Sequence, residues 1–560
     1  MSNFDWSIIA GYLLAVVGLG IAAGLFRRRV GAGGEGGHYF LAGNSLRWPV
    51  VGLAMFAANI STVHLVSLAE SAYKFGLVYG NFEWMAGFTL ILLSLFFAPL
   101  YLRSRVATLP DFLERRFNRG CRDVLAVISI FSAIVIHMGV ALYTAAWVLR
   151  GILGLPPDSR MLGMDTQLLF IVVLGLLTGV YTMFGGLLAV VWTESMQTIL
   201  LLSGAVVITV TGYLKVGGWS ELAHTLATHP HPLAGAAAGA VNWGTTNFLS
   251  MARNAHDPSG LPWYSILLGY PVLGIWYWCC DQTIVQRVLA AKDEKNARLG
   301  PLFCALLKVF PVFLFVLPGV ICVALVQQNA FNGDAPHSAR DTYTFLITHL
   351  LPVGLKGFVA AAMLAEAMQT CSAALNSTAT LVAYDLFRRR RPAISDHQLV
   401  FIGKMTTVVG TILAIVCSPW FDHYSTIIEG INKLISYLAP PITAVFLLGV
   451  FWKRASGKSA LITLLAGIAL GSAAFSLDWF HVYSGNFMMT AFYLFIACLV
   501  IMIASAWIFP EPFPAGAELL VWKNWREPLS GNPGGRGLGN YRVLAATILI
   551  LFIVLYLIFR

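Results

Sequence analysis

The alternation of apolar and polar positions is coarse: long apolar runs are separated by short polar stretches. A run of about 20 apolar residues crosses a hydrocarbon layer of about 30 Å as a helix. Runs of that length fall at about 5–26, 48–73, 80–102, 124–153, 166–184, 188–214, 263–287, 302–328, 358–386, 399–418, 431–451, 458–477, 488–509 and 541–559. They predict an all-α polytopic membrane protein with about fourteen transmembrane helices. The first run has Asp5 and no Lys or Arg ahead of it, and it is long enough to span rather than be cleaved. The stretches GAGGEGG (31–37) and SGNPGGRGLGN (530–540) read as flexible linkers, since neither joins a strand to a helix in the way a phosphate cradle requires. No polar segment longer than about 45 residues remains, which argues against catalytic machinery outside the membrane.

Composition agrees. The chain is 58% hydrophobic and 11% charged, against about 25% charged in ordinary globular domains. The net charge of +10 reads as the topology signal of cytoplasmic loops rather than a nucleic-acid surface. With both termini outside, 25 Lys and Arg fall on the inner side and 8 on the outer, with Arg287, Lys308 and Lys433 inside helices. The RRRRP of 388–392 is then a stop-transfer cluster. The eight cysteines sit in or beside apolar runs and form no metal-ligand set or disulfide framework. The sequons at Asn59 and Asn376 lie inside predicted helices, beyond the reach of glycosylation.

Several polar residues interrupt these runs, and each charge at the bilayer centre costs roughly 2.5–3.5 kcal/mol on insertion scales. In WPVVGLAMFAANISTVHLVSLAESAY, Asn59, Ser61, Thr62 and His64 cluster mid-run. Asn and Thr compete for backbone hydrogen bonds, and a helix breaks at membrane depth only beside a cavity, so an unwound segment is predicted near 58–64. Glu83 begins the third run, where the helix dipole also favours an acid. Lys308 lies within CALLKVFPVFLFVLPG and needs a carboxylate or hydroxyl partner, unless its stem snorkels inward. In MLAEAMQTCSAALNSTATL, Glu366, Gln369, Thr370, Ala373 and Ser377 repeat at steps of three and four and form one polar face. Interhelical glue would give the same face, though glue rarely needs a carboxylate. The stretch WYWCCDQTIVQR (276–287) passes from aromatic to polar within a single run.

These stretches together resemble a known family. FLAGNSLRWPVVGLAMFAANIST, FEWMAG, DPSGLPW with WYWCCDQTIVQR, LLKVFPVFLFVLPG, ALNSTATL and ISYLAPPITAVFLLGVFWKR are similar, in order over about residues 39–455, to the sodium/glucose cotransporter branch of the solute:sodium symporter family. The resemblance implies a leucine-transporter-like inverted repeat of two five-helix units. They would span 48–214 and 263–451, flanked by an extra helix and linker (1–47), an extracellular loop (215–262), accessory helices (452–509), a cytoplasmic loop (510–540) and a C-terminal helix (541–560).

The resemblance also implies site roles. Asn59, His64, Glu83 and Lys308 match positions that hydrogen-bond sugar hydroxyls. Tyr277 matches an inner gate that stacks on the sugar ring, with Trp278 its neighbour, and Asp281–Arg287 would be the polar end where that helix meets cytoplasm. Leu68 and Phe82 match an outer gate. Asn432 stands where the family usually has Gln, Ile428 where the outer gate usually has Phe, and Gly274 where Thr is common. Sodium would sit between the carbonyls of Ala57 and Ile60 and the face carrying Glu366, Gln369 and Thr370, where the family supplies a carbonyl and two hydroxyls. Ser372 and Glu194 match a second cation region, with Glu194 in place of Asp.

The implied function is a secondary active symporter in the cell membrane that imports a monosaccharide with sodium, has no cofactor beyond the co-transported ion, and is not an enzyme. A proton-coupled carrier, an uncoupled carrier or sensor, and a carrier of another polyol such as inositol remain open alternatives.

Overall fold

The computed structural model describes residues 2–27, 44–60, 62–156, 159–228, 247–255, 257, 259–423, 427–482, 485–514, 516–530, 535 and 537–560. The chain is helical almost throughout; the strands among these residues are the two-residue pair Arg160–Met161 and Met164–Asp165. By length and composition ten described helices can cross a membrane, or up to eleven if a pair bent by 67° over Leu201–Thr228 is one span. Two of the fourteen expected runs are cut. Helix α2 (Trp48–Asn59) is only 12 residues long, and the run after Gly260 stops at Asp281. Helix α1 (Asn3–Arg27) occupies the first predicted run.

Two interruptions organise the bundle. The first follows α2, whose start carries Pro49 where the missing N–H costs nothing. Ile60 is extended (φ −68°, ψ 121°), and the helix resumes through a π-helical turn, His64–Leu68, into α3 (Ala69–Phe75). The break is narrower than the predicted 58–64, because Asn59 still belongs to α2 and Thr62 is already helical; Ser61 lies outside the described residues.

Helix α4 (Asn81–Leu92) carries Glu83 in its first turn. Helices α5 (Leu109–Arg116), α6 (Arg119–Phe131) and α7 (Val140–Ile152) follow, α5 and α6 being capped by the Thr108 and Asn118 side chains. Helix α8 (Thr166–Val216) takes the place of the two runs expected over 166–184 and 188–214. A run of 51 residues is far longer than about 20 needed to cross, and residues at both of its ends pack on the same bundle: Gly179 faces Thr411, and Gly204 faces Val359.

The second interruption corrects the expectation for 281–287. Helix α9 (Trp263–Ile275) runs through a π-helical turn, Trp276–Cys280, to an extended Asp281 (φ −84°, ψ 125°). Asp281 then caps α10 (Gln282–Leu289) by accepting from the Thr283 N–H at 2.7 Å. All of α10 is buried, including Gln282, Gln286 and Arg287. The polar tail does not meet water, because α10 folds back against α2 and the helix carrying Glu366. Its amides find protein partners: Gln282 Oε1 accepts from the Leu109 N–H at 2.8 Å and Gln286 Nε2 donates to Thr380 at 2.8 Å. Each half of the chain thus opens with a broken helix, the arrangement an inverted repeat requires.

Helix α11 (Glu294–Leu307) ends at Lys308, and the chain resumes as α12 (Leu317–Gln327). Helices α13 (Leu355–Leu381), α14 (Asp396–Cys417), α15 (Ile427–Phe451), α16 (Gly457–Trp479), α17 (Phe487–Ile508) and α18 (Tyr541–Ile558) complete the described bundle. Helix α13 is its axis, buried almost along its whole length. Close crossings rest on small residues; at Gly52 an added Cβ would lie 2.7 Å from the Gly300 carbonyl. The two chain ends share one side of the bundle with the 328–354 loops, Asp5 accepting from the N–H groups of Gly354 and Gly357 and Phe559 accepting from Met251.

Candidate functional site

Between the two broken helices lies a cavity of about 140 Å³ lined by Asn59, His64, Leu68, Phe82, Glu83, Tyr277, Trp278, Lys308, Ile428 and Asn432, with Tyr270, Leu273 and Ile431 among the other residues around it. Every sugar-contact and gate position implied by the resemblance therefore lines a single space. The last three residues had no role assigned, since an apolar lining residue reads in sequence like any other core residue.

The polar residues form one connected set. Lys308 Nζ lies 2.5 Å from Glu83 Oε2 and also donates to Asn59 Oδ1, while Asn59 Nδ2 donates to the Tyr277 hydroxyl at 3.1 Å. His64 Nε2 stands 3.6 Å from Glu83 Oε1. The ammonium is 5.3 Å from the Trp278 ring centre. Lys308 and Glu83 are 1% and 2% exposed, so the acid of α4 is a paired interior charge rather than an interfacial helix cap. Burying such a pair is affordable only with extra hydrogen bonds, which Asn59 supplies. Asn432, also on the cavity wall, donates its amide N–H₂ back to the Ile428 carbonyl at 2.8 Å. The Tyr277 ring meets Trp278 edge-on at 5.2 Å and lies tilted to His137 at 5.9 Å, and His137 Nε2 reaches Asp281 at 3.3 Å.

A second polar cluster sits behind the first break. Ala57 is among the last residues of α2, where carbonyls lose their helical partners, and Ile60 is the extended residue itself. Thr62 shares its hydroxyl between the Met363 carbonyl at 2.7 Å and Glu366 Oε2 at 2.8 Å, and Thr370 donates to Glu366 Oε1 at 3.0 Å. Among the described residues no Lys, Arg or His pairs with Glu366, which is fully buried. Gln369 is buried with neither amide atom hydrogen-bonded among the described residues, a costly state unless a further partner is supplied. Ser372 accepts from Thr182 at 2.9 Å; the Glu194 side chain lies outside the described residues.

A charged network joins α5 and α6 to the segment after α13. Arg122 donates to Asp385 and Glu114, each at 2.6 Å, and Thr108 donates to Asp385 at 3.0 Å. Arg116 donates to the carbonyls of Gly449, Trp452 and Ala455 at the end of α15. Burial pulls the Arg116 guanidinium down to about 10, which leaves it charged at neutral pH. The eight cysteines are free.

A sequence model of the Sodium:solute symporter family matches residues 39–467. The rat sodium/glucose cotransporter 2 is 34% identical over 501 residues, covering 85% of this chain and 72% of that protein. The human sodium/myo-inositol cotransporter 2 is 32% identical, covering 85% and 70%. Among solved structures, a Na⁺-coupled sialic acid symporter in a substrate-bound, outward-open state superposes with a TM-score of 0.73 at 22% identity, covering 91% of this chain and 99% of that one, a likeness of fold.

Proposed function

Because this chain belongs to the sodium:solute symporter family, we propose that it is a secondary active carrier, not an enzyme, that imports a neutral monosaccharide with sodium across the cell membrane, both termini facing outward. The observation that carries the substrate class is the Glu83–Lys308 pair with Asn59, His64 and Tyr277 around one cavity. A hexose presents hydroxyls that donate and accept, and this set offers an anionic acceptor, a cationic donor, an amide with both functions and an aromatic face. Hydrogen bonds to charged groups are about twice as strong as neutral ones. The carboxylate and ammonium cancel, so the site suits a neutral polyol better than a carboxylate substrate, and myo-inositol fits the same donors and acceptors.

Sodium is a hard cation that takes oxygen donors. The carbonyls of Ala57 and Ile60, the Thr370 hydroxyl, the Gln369 oxygen and the Glu366 carboxylate would hold it between α2 and α13, with Ser372 and Glu194 near a second ion. Alternating access follows if units of about 48–214 and 263–451 rock about these sites. Cation binding at the junction of α2 and α13 would bias that motion, because both segments contribute ligands.

Reconstituted liposomes test this. A sodium gradient should concentrate a labelled hexose or myo-inositol inside; no accumulation of any sugar or polyol under a sodium or a proton gradient would overturn it. The buried Glu366 carboxylate, which accepts from the Thr62 and Thr370 hydroxyls, favours proton coupling as a second reading, and equal uptake with and without gradients would select an uncoupled carrier.

A further inference from the structure

The pair Glu83–Lys308 is supported from behind by residues that the transport reading leaves without a role. Trp84, next to Glu83 and fully buried, donates its indole N–H to the carbonyl of Val309, next to Lys308, at 3.3 Å. The neighbours of both charged residues are thus bonded to one another on the far side of the cavity wall. Trp84 in turn packs against Tyr556 and Phe559 at 5.5 and 5.6 Å between ring centres. Phe313, beyond Lys308, meets Phe559 at 5.8 Å.

The same helix α18 holds the start of α4. The Tyr556 hydroxyl donates to Asn81 Oδ1 at 2.9 Å, and Asn81 Nδ2 donates to the carbonyls of Val78 and Met251 at 2.7 and 2.8 Å. Met251 donates its N–H to the Phe559 carbonyl at 2.7 Å. One turn further along α4, a Cβ on Gly87 would fall 2.1 Å from the Phe552 ring, so only glycine admits that ring. Phe552, Tyr556 and Phe559 recur at steps of four and three and form one face, while Ile550 and Leu557 on the other side are exposed at 61% and 67%.

We propose that α18, outside both repeats, is a positioning element of the substrate site, and that Tyr556, with Phe552 seated on Gly87, sets the spacing of Glu83 and Lys308. The inference rests on the reading of that pair as the polyol-binding group. A paired carboxylate and ammonium each have several rotamers, and pre-ordering them lowers the cost of ligand binding. The Tyr556–Asn81 bond fixes the first turn of α4, two residues from Glu83, and the Trp84–Val309 bond ties that turn to the residue after Lys308.

The test uses full-length protein in liposomes with Tyr556→Phe, Gly87→Ala and, as a lipid-facing control on the same helix, Ile550→Ala. Tyr556→Phe keeps the ring contacts and removes one hydrogen bond, so the KM for the transported hexose or inositol should rise about three- to tenfold. Maximal rate per reconstituted protein and half-saturating sodium should stay within about twofold. Gly87→Ala should shift KM the same way, and Ile550→Ala should leave it unchanged. A lowered thermal midpoint with unmoved KM in both variants would overturn the inference and make α18 a packing helix only. A readout free of sugar keeps the two readings apart: reductive methylation of Lys308, followed by mass spectrometry, should be faster in Tyr556→Phe than in the wild type. If no sugar or polyol is transported yet Lys308 labelling rises, the substrate reading fails and the positioning stands; labelling equal to wild type overturns the positioning.

Discussion

The hydroxyl of Thr62, two residues past the break after α2, lies 2.8 Å from the carboxylate of Glu366 on α13, a contact that joins the two halves of the chain across 304 residues. The same hydroxyl reaches the Met363 carbonyl, so a single side chain ties the start of the resumed helix to one turn of the opposing helix. If sodium binds at this junction, Thr62 orients one of its ligands. Thr62→Val removes the donor at nearly constant volume, and a buried acceptor losing a partner costs about 1–3 kcal/mol. Half-saturating sodium should rise at least several-fold with sugar affinity at saturating sodium little changed. Sodium titration of uptake checks this, and an unshifted curve would remove Thr62 from the cation site.

The Glu83–Lys308 pair predicts an asymmetric mutational response. Lys308→Ala leaves a buried carboxylate with only His64 nearby, and breaking such a pair costs about 3–5 kcal/mol. Sugar binding should be lost and the thermal midpoint should fall. The double replacement Glu83→Gln with Lys308→Met removes both charges, so the midpoint should return most of the way while binding stays absent. Recovery of binding in the double variant would show that the charges serve packing alone. His64→Ala removes a group that only approaches Glu83 at 3.6 Å, and should weaken binding by about 1–3 kcal/mol with a smaller effect on stability.

Tyr277 has two separable functions in this geometry. Its ring lies in the aromatic group with Trp278 and His137, and its hydroxyl accepts from Asn59. Tyr277→Phe leaves Asn59 Nδ2 without that acceptor but keeps the stacking face, so the loss in sugar affinity should be modest, about 1 kcal/mol. Tyr277→Ala deletes the face as well, and should abolish concentrative uptake. Equal effects of the two replacements in transport assays would assign the whole role to the hydroxyl.

Much of this site is legible in the sequence because intramembrane polar residues are costly and therefore few. Asn59, His64, Glu83, Lys308 and Glu366 each break an apolar pattern, and family resemblance adds their roles. Asp281 to Arg287 show where that reasoning stops. A polar stretch at the end of an apolar run is the same string whether it meets water or folds inward, and what decides is a partner far away, here Leu109 and Thr380. Thr62 sat in a recognised polar cluster, yet its acceptor on α13 could not be named without three-dimensional placement. Helix α18 hides its packed face more completely: it is apolar almost all round, so that side has little contrast with the exposed one.

The inner network gives a conformational prediction. Arg122 joins α6 to Asp385 at the end of the α13 segment, and Asp385 is buried. If this bridge holds the cytoplasmic side shut, Asp385→Ala should shift the population toward the inward-open form. Cys280, buried at the second break, then becomes reachable from the cytoplasmic side. Alkylation of Cys280, read by mass spectrometry in inside-out vesicles, should accelerate several-fold; an unchanged rate would mean that the bridge does not hold the inner side shut.

Replacement of Glu366 tests which ion is coupled. Its carboxylate accepts from the hydroxyls of Thr62 and Thr370, and one turn along α13 the Gln369 amide has no hydrogen-bond partner among the described residues. Oxygen donors on both sides of the break are enough for sodium, and the carbonyls of Ala57 and Ile60 do not depend on side-chain identity, so sodium coupling is expected to survive Glu366→Gln with altered half-saturation. The amide keeps an oxygen for the ion but loses the charge, and a charged ligand contributes more to cation affinity than a neutral one. If a proton were the coupling ion instead, Glu366 would be the group that carries it, and the amide, which cannot be protonated and deprotonated, would abolish accumulation while leaving exchange of internal for external sugar intact. The two cases separate in one set of vesicles. Uptake is driven first by a sodium gradient at uniform pH, then by a pH gradient in sodium-free buffer, for wild type and Glu366→Gln. Accumulation by the sodium gradient in both proteins supports sodium coupling. Accumulation by the pH gradient in the wild type alone, with exchange preserved in the variant, would assign the coupling to protons at Glu366.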